Sequence, residues 1–181
     1  MIGALVAGQV GSGGASLSSY ESIATANITG SSKVITISSI PTTFKHLQLR
    51  IAMLATSGDC GITVNGDTAA NYARHVLRGD GSTVSSFGVA STNVTANLFP
   101  GGISNTYPSV AIIDILDYGS TSKYKTFRIF SGQDFNGSGY LEPCSGLWMN
   151  TAAINSITVT TAGAANWSAT SRVALYGIKE A

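Results

Sequence analysis

Phe44 to Leu54, FKHLQLRIAML, alternates apolar and polar positions with a period of two. Leu47, Leu49, Ile51 and Met53 fall on one face, and His46, Gln48 and Arg50 on the other. Alternation over this length predicts a half-buried strand. Pro108–Gly119, PSVAIIDILDYG, is the most apolar run outside the N-terminus. Its β-branched content predicts a central strand buried on both sides. Val110, Ile112, Asp114, Leu116 and Tyr118 should point one way, and Ala111, Ile113, Ile115 and Asp117 the other.

Shorter runs flank these two. Tyr20–Ile28 reads as a strand before a Gly30–Ser32 turn, and Lys33–Ile40 alternates until Pro41 ends it, since proline cannot donate to a ladder. Ile62–Val64 leads into Asn65–Gly66–Asp67, a signal for a hairpin turn. Tyr72–Arg78 fits a short helix or a strand, and the flanking Gly79–Asp80–Gly81 favours the strand. Ser82–Phe99 should hold one or two short exposed strands before the break at Pro100–Gly102. Tyr124–Phe130, Leu147–Met149, Ile154–Thr161 and Arg172–Ile178 complete the set. About ten closely spaced strands predict an all-β fold, an antiparallel sandwich of jelly-roll type. Leu47, Leu49, Ile51, Ile112, Ile113, Phe127, Ile157 and Leu175 are expected among its buried residues.

At 181 residues the chain suits one domain, residues 20–181, preceded by a glycine-rich apolar arm, residues 1–19. In the arm, Ile2, Leu5, Val6 and Val10 are apolar, while Gly11, Gly13 and Gly14 form a flexible tether. No Lys or Arg precedes the run, and it is too short to span a bilayer, so neither a secretory signal nor a membrane anchor is expected. Two readings stand for it: an idle terminus, or an arm that docks on a neighbouring subunit.

Charged residues make up only 10% of the chain and the formal net charge is +1. Such a surface offers no electrostatic footprint for nucleic acid or anionic lipid. Neutrality of this kind suits a surface partly covered by other subunits.

Candidate chemistry is thin. Asp114 and Asp117 should face opposite sides of the central strand, which places them poorly as a general acid and base. Asp114 is expected to be hydrogen-bonded or paired with Lys123, Lys125 or Arg128. Asp134–Gly139 has the opening spacing of a calcium loop, but Ser145 stands where the bidentate Glu belongs, so a polar turn is expected. His46, His75, Cys60 and Cys144 lack metal-ligand spacing, and no nucleophile motif accompanies the histidines. No cofactor is expected, and the two cysteines are read as reduced thiols. Trp167, between Asn166 and Ser168, is the aromatic most suited to an exposed recognition role.

Several stretches, in order, carry a family pattern: YESIATANI, FKHLQLRI, NGDTAANYARHVLRGDGS, IDILDYGSTSKYKTF, GLWMNTAAINSITV and ALYGIK. The pattern, from about Tyr20 to Lys179, resembles small structural proteins of tailed bacteriophages. The resemblance implies a non-enzymatic virion protein on the particle surface, with other phage structural proteins as partners, either the major capsid protein or tail components. Capsid decoration or cementing, by a homotrimer, is the leading expectation. A tail-fibre or glycan-binding host-recognition module is its rival, and a virion carbohydrate-active enzyme is a weaker third.

Overall fold

The computed structural model describes residues 19–28, 32–56, 60–92, 104–161 and 166–179. Among them lie eleven strands and no helix: β1 (Tyr20–Asn27), β2 (Val34–Ile37), β3 (His46–Met53), β4 (Cys60–Val64), β5 (Tyr72–Gly79), β6 (Val84–Thr92), β7 (Ser109–Leu116), β8 (Lys125–Asp134), β9 (Gly139–Trp148), β10 (Ile157–Thr161) and β11 (Arg172–Ile178). They form an antiparallel sandwich of an eight-stranded sheet, in the order β1-β11-β3-β7-β8-β9-β5-β6, and a three-stranded sheet, β2-β10-β4. The chain passes repeatedly between the sheets, as in jelly rolls, but the layers are unequal in size.

The core lies between the small sheet and the strands of the large sheet around β3 and β7. Leu47, Leu49, Ile51 and Met53 of β3 are buried, as their alternation predicts. They join Ile113 and Ile115 of β7, Phe127 of β8 and Leu175 of β11, and meet Ile35, Ile62, Ile157 and Val159 from the small sheet in one cluster. At roughly 1.5–3 kcal/mol for each large side chain removed from water, this cluster dominates the favourable side of folding.

One end of the sandwich is tied by polar side chains. The Asp67 carboxylate accepts hydrogen bonds from Trp148 Nε1 at 2.7 Å, Asn71 Nδ2 at 2.9 Å and the Ala69 amide at 3.0 Å. The buried Tyr72 hydroxyl donates to the Asp67 carbonyl and accepts from the Val64 amide, linking the two sheets. Lys125 is also buried, its Nζ donating to the carbonyls of Lys123 at 2.7 Å and Thr151 at 3.0 Å. Burial without a counter-charge lowers the Lys125 pKa.

The fold departs from the sequence expectations at four strand or turn positions. Asn65 and Gly66 do turn with left-handed φ of 53° and 68°, but they join β4 to β5, which lie in different sheets, so no hairpin closes there. The Asn65 side chain locks the turn, donating to Ala153 O and accepting from the amides of Asn155 and Ser156. β9 is far longer than Leu147–Met149 suggests, because pairing on both sides carries the chain through Pro143. Only its ladder to β5 lapses, between the pairs Val76–Cys144 and Gly79–Leu141, where proline has no N–H to give. Tyr118 is buried and not with Ile112, since the left-handed Asp117 (φ 47°) reverses the alternation. Its hydroxyl donates to Pro41 O. Lastly, β7 is buried on one face only, and Ile112, expected inside, is 45% exposed.

Candidate interaction surface

The uncovered face of the large sheet collects the apolar side chains that the core leaves out. Direct cross-strand partners share a face in an antiparallel pair. One row therefore runs from Arg50 of β3 through Ile112, Phe130 and Pro143, with Leu77 of β5 alongside. The next row runs Val110, Gly132, Leu141, Gly79 and Val84. Leu77, Val110, Ile112, Phe130 and Leu141 are each 45–54% exposed, and Val84 at the sheet edge more so. Two shallow depressions, of about 690 and 700 Å³, lie along these rows. Large half-exposed side chains on five adjacent strands make a contiguous patch rather than scattered exceptions, and such patches mark interaction sites.

Polar groups frame the patch at both ends of the strands. Beyond the Ile112 row lie Asp114 and Arg128, cross-strand partners with Gln48 on the other side of Asp114. Gln48 Nε2 donates to Asp114 Oδ1 at 2.9 Å, and Arg50 Nε donates to Gln48 Oε1 at 2.8 Å. The Arg50 guanidinium also stacks over the Tyr176 ring at 5.0 Å. Asp114 is thus held by Gln48, and no ion pair with the lysines or arginine expected for it forms among the described residues. At the other end, Asp134 closes the β8–β9 turn, accepting the Asn136 amide at 2.7 Å, while Phe135 N–H reaches Ser138 O. The calcium-like loop is this polar turn, with Asn136 and Gly137 in left-handed conformations.

The remaining candidates make contacts within the fold. Asp117 sits near Lys123 at 3.2 Å, His46 at 3.7 Å and Lys45 at 4.0 Å. The hydrogen bond from Lys123 holds its carboxyl below the usual range. His46 Nδ1 accepts the Asp117 amide at 3.0 Å. Cys60 is buried in β4 and Cys144 half-buried in β9, without a disulfide between them. Burial pushes the Cys144 thiol up to about 11. Among the described residues no three His, Cys, Asp or Glu side chains gather as a metal site would require.

Trp167 overturns its expected exposure. It is 2% exposed, because a bridge to Ala55 and its amide bond to Ser32 O pull the segment onto the core. Its indole Nε1 is buried and has no hydrogen-bond partner among the described residues. Ile2, Leu5, Val6 and Val10 of the arm lie outside the described residues. The sequence signal that could have found the sheet-face patch was present in β7, whose two faces are both apolar although a sandwich strand needs only one. No known family model, curated protein or solved structure matches the chain.

Proposed function

We propose that this chain is a non-enzymatic structural protein of a tailed-phage particle, acting at the particle surface by burying area against neighbouring subunits. The observation that carries this reading is the apolar outer face of the large sheet, whose half-exposed Val110, Ile112, Phe130 and Leu141 gain free energy only when covered. The setting, with major capsid or tail proteins as partners, rests on the sequence resemblance between Tyr20 and Lys179 alone. Decoration or cementing is the favoured form, because a subunit that binds only the assembled shell stabilises it by mass action. The glycan-binding alternative has lost its candidate aromatic, since Trp167 is inside the core.

The arm adds a second contact to this proposal. Ile2, Leu5, Val6 and Val10 would pack on a neighbouring chain, each large side chain contributing roughly 1.5–3 kcal/mol before ordering costs. Quantitative mass spectrometry of purified phage particles tests the reading. A decoration protein is present in hundreds of copies and a fibre in a handful, whereas absence from particles refutes the virion role. Deleting residues 2–14 should leave the fold intact and lower occupancy on particles; full occupancy after deletion removes the arm from the proposal.

A further inference from the structure

The outer face of the large sheet has a pattern that complements itself. β8 carries Arg128, Phe130, Gly132 and Asp134 in succession on this face. Arg128 is exposed and has no ion-pair partner among the described residues, and the exposed Asp134 faces no cation there. The strand thus presents, in order, a cation, a large ring, a hollow and an anion. A twofold axis crossing β8 at Ser131, parallel to the sheet and perpendicular to the strands, reverses that order in a second copy. Arg128 then lies opposite Asp134, and the Phe130 ring opposite Gly132, in the shallow depression that Val110 and Leu141 border on either side.

The same axis suits the strands on either side. On β7 it sets Ile112 against Val110, and on β9 Pro143 against Leu141, so apolar groups meet apolar groups on both strands beside β8. Five strands at about 4.8 Å and four rows at about 6.8 Å give a footprint of roughly 24 Å by 27 Å. That is the scale of the smaller specific protein interfaces. Sheets packed face to face cross at about −30°, which leaves Phe130 over Gly132 near the axis and moves Asp134 about 5 Å sideways from Arg128, a gap that the long arginine side chain spans.

From this register we infer that the occupant of the apolar face is a second copy of this chain, docked as a twofold dimer through β7, β8 and β9. A twofold contact uses one patch twice, as a self-complementary face requires, whereas the homotrimer implied by the family resemblance would need two different patches. The pairing stands apart from the virion reading, because it concerns the purified protein alone.

Sedimentation equilibrium of the full-length protein over a concentration series is the test. The expected result is a monomer–dimer equilibrium. Arg128→Asp or Asp134→Arg alone should raise the dissociation constant about tenfold or more, by setting like charges opposite each other. The double variant should return it close to the parent value. Phe130→Asp should give a monomer with unchanged circular dichroism; if that variant does not fold, the charge pair still decides, since both residues are exposed. A full-length chain that is monomeric at every concentration, or trimeric, overturns the inference. So does a double variant as weak as the single ones, which would place the contact elsewhere. A monomer that dimerises only after deletion of residues 2–14 would show the chain's own arm on the face, and overturns it as well.

Discussion

A single methyl group added at Gly177 should destabilise the protein, against the direction that strand propensity gives. Gly177 lies in β11 between Leu47 of β3 and Glu21 of β1, and no left-handed backbone requires a glycine there. On propensity alone, alanine would gain roughly 0.5–1 kcal/mol by ordering a less flexible chain. The Phe44 ring lies directly over the glycine, however, and a Cβ would overlap its Cγ and both Cδ atoms. Phe44 packs against the core, and its amide donates to the Tyr118 hydroxyl at 3.4 Å, so the ring cannot swing away without disturbing the start of β3. Overpacking of this kind costs about 1–3 kcal/mol. The net expectation for Gly177→Ala is a loss of about 1–2 kcal/mol, or about 2–8 °C in Tm for a chain of this size. Thermal and chemical denaturation followed by circular dichroism measures it. In a Phe44→Ala background the same substitution should become neutral or slightly stabilising, giving a coupling of about 1 kcal/mol or more. A Gly177→Ala protein as stable as its parent, or an equal loss in both backgrounds, would refute the reasoning.

Two further outcomes follow from the core and its polar end. Leu49→Ala, at a fully buried position between β11 and β7, should cost about 2–5 kcal/mol, read from the denaturation midpoint at constant m-value. Asp67 has its pKa lowered, chiefly by the Trp148 hydrogen bond, so its contribution is present above the unfolded carboxylate value of about 3.9 and is lost as pH falls through the lower folded value. Asp67→Asn should therefore weaken the protein at neutral pH and flatten the fall of stability below about pH 4; an unchanged acid limb in a denaturant series would exclude that role.

The strands that sequence revealed are those whose burial is one-sided and local. β3 alternates without a break because one face meets the core and the other water or its own polar neighbours, and β11 matches its expected bounds at both ends. β9 was largely hidden, since Pro143, Gly139 and Gly146 read as breakers when the partners on both sides are unknown. The division into eight and three strands was hidden too, because Asn65–Gly66 has the same local chemistry whether it closes a hairpin or changes sheets. Trp167 was misread because its polar neighbours describe the backbone, while the ring follows the bridge to Ala55. The candidate surface was half legible. Ile112 and Val110 stood out as apolar, but that sequence property is the same for a strand covered by its own fold and for one that awaits a partner.

The pairing of β1 with β11, and of β2 with β10, sets a constraint on how the molecule is made. Roughly 150 residues separate the members of the first pair. At about 5–20 residues per second, a ribosome needs roughly 8–30 s to supply β11 after β1 has emerged. Until then β1 has no ladder partner on either side, since β11 also stands between it and β3. β2 waits in the same way for β10, leaving the small sheet unformed and the inner face of β3 open to water. The sandwich therefore closes late, in a step dominated by contacts between distant parts of the chain, which folds in milliseconds to seconds rather than microseconds. A nascent chain stalled before Arg172 carries nearly all of the core residues and still lacks the strand that holds β1 to the sheet. Such a chain is a substrate for holding chaperones, and its open strand edges are where aggregation would begin.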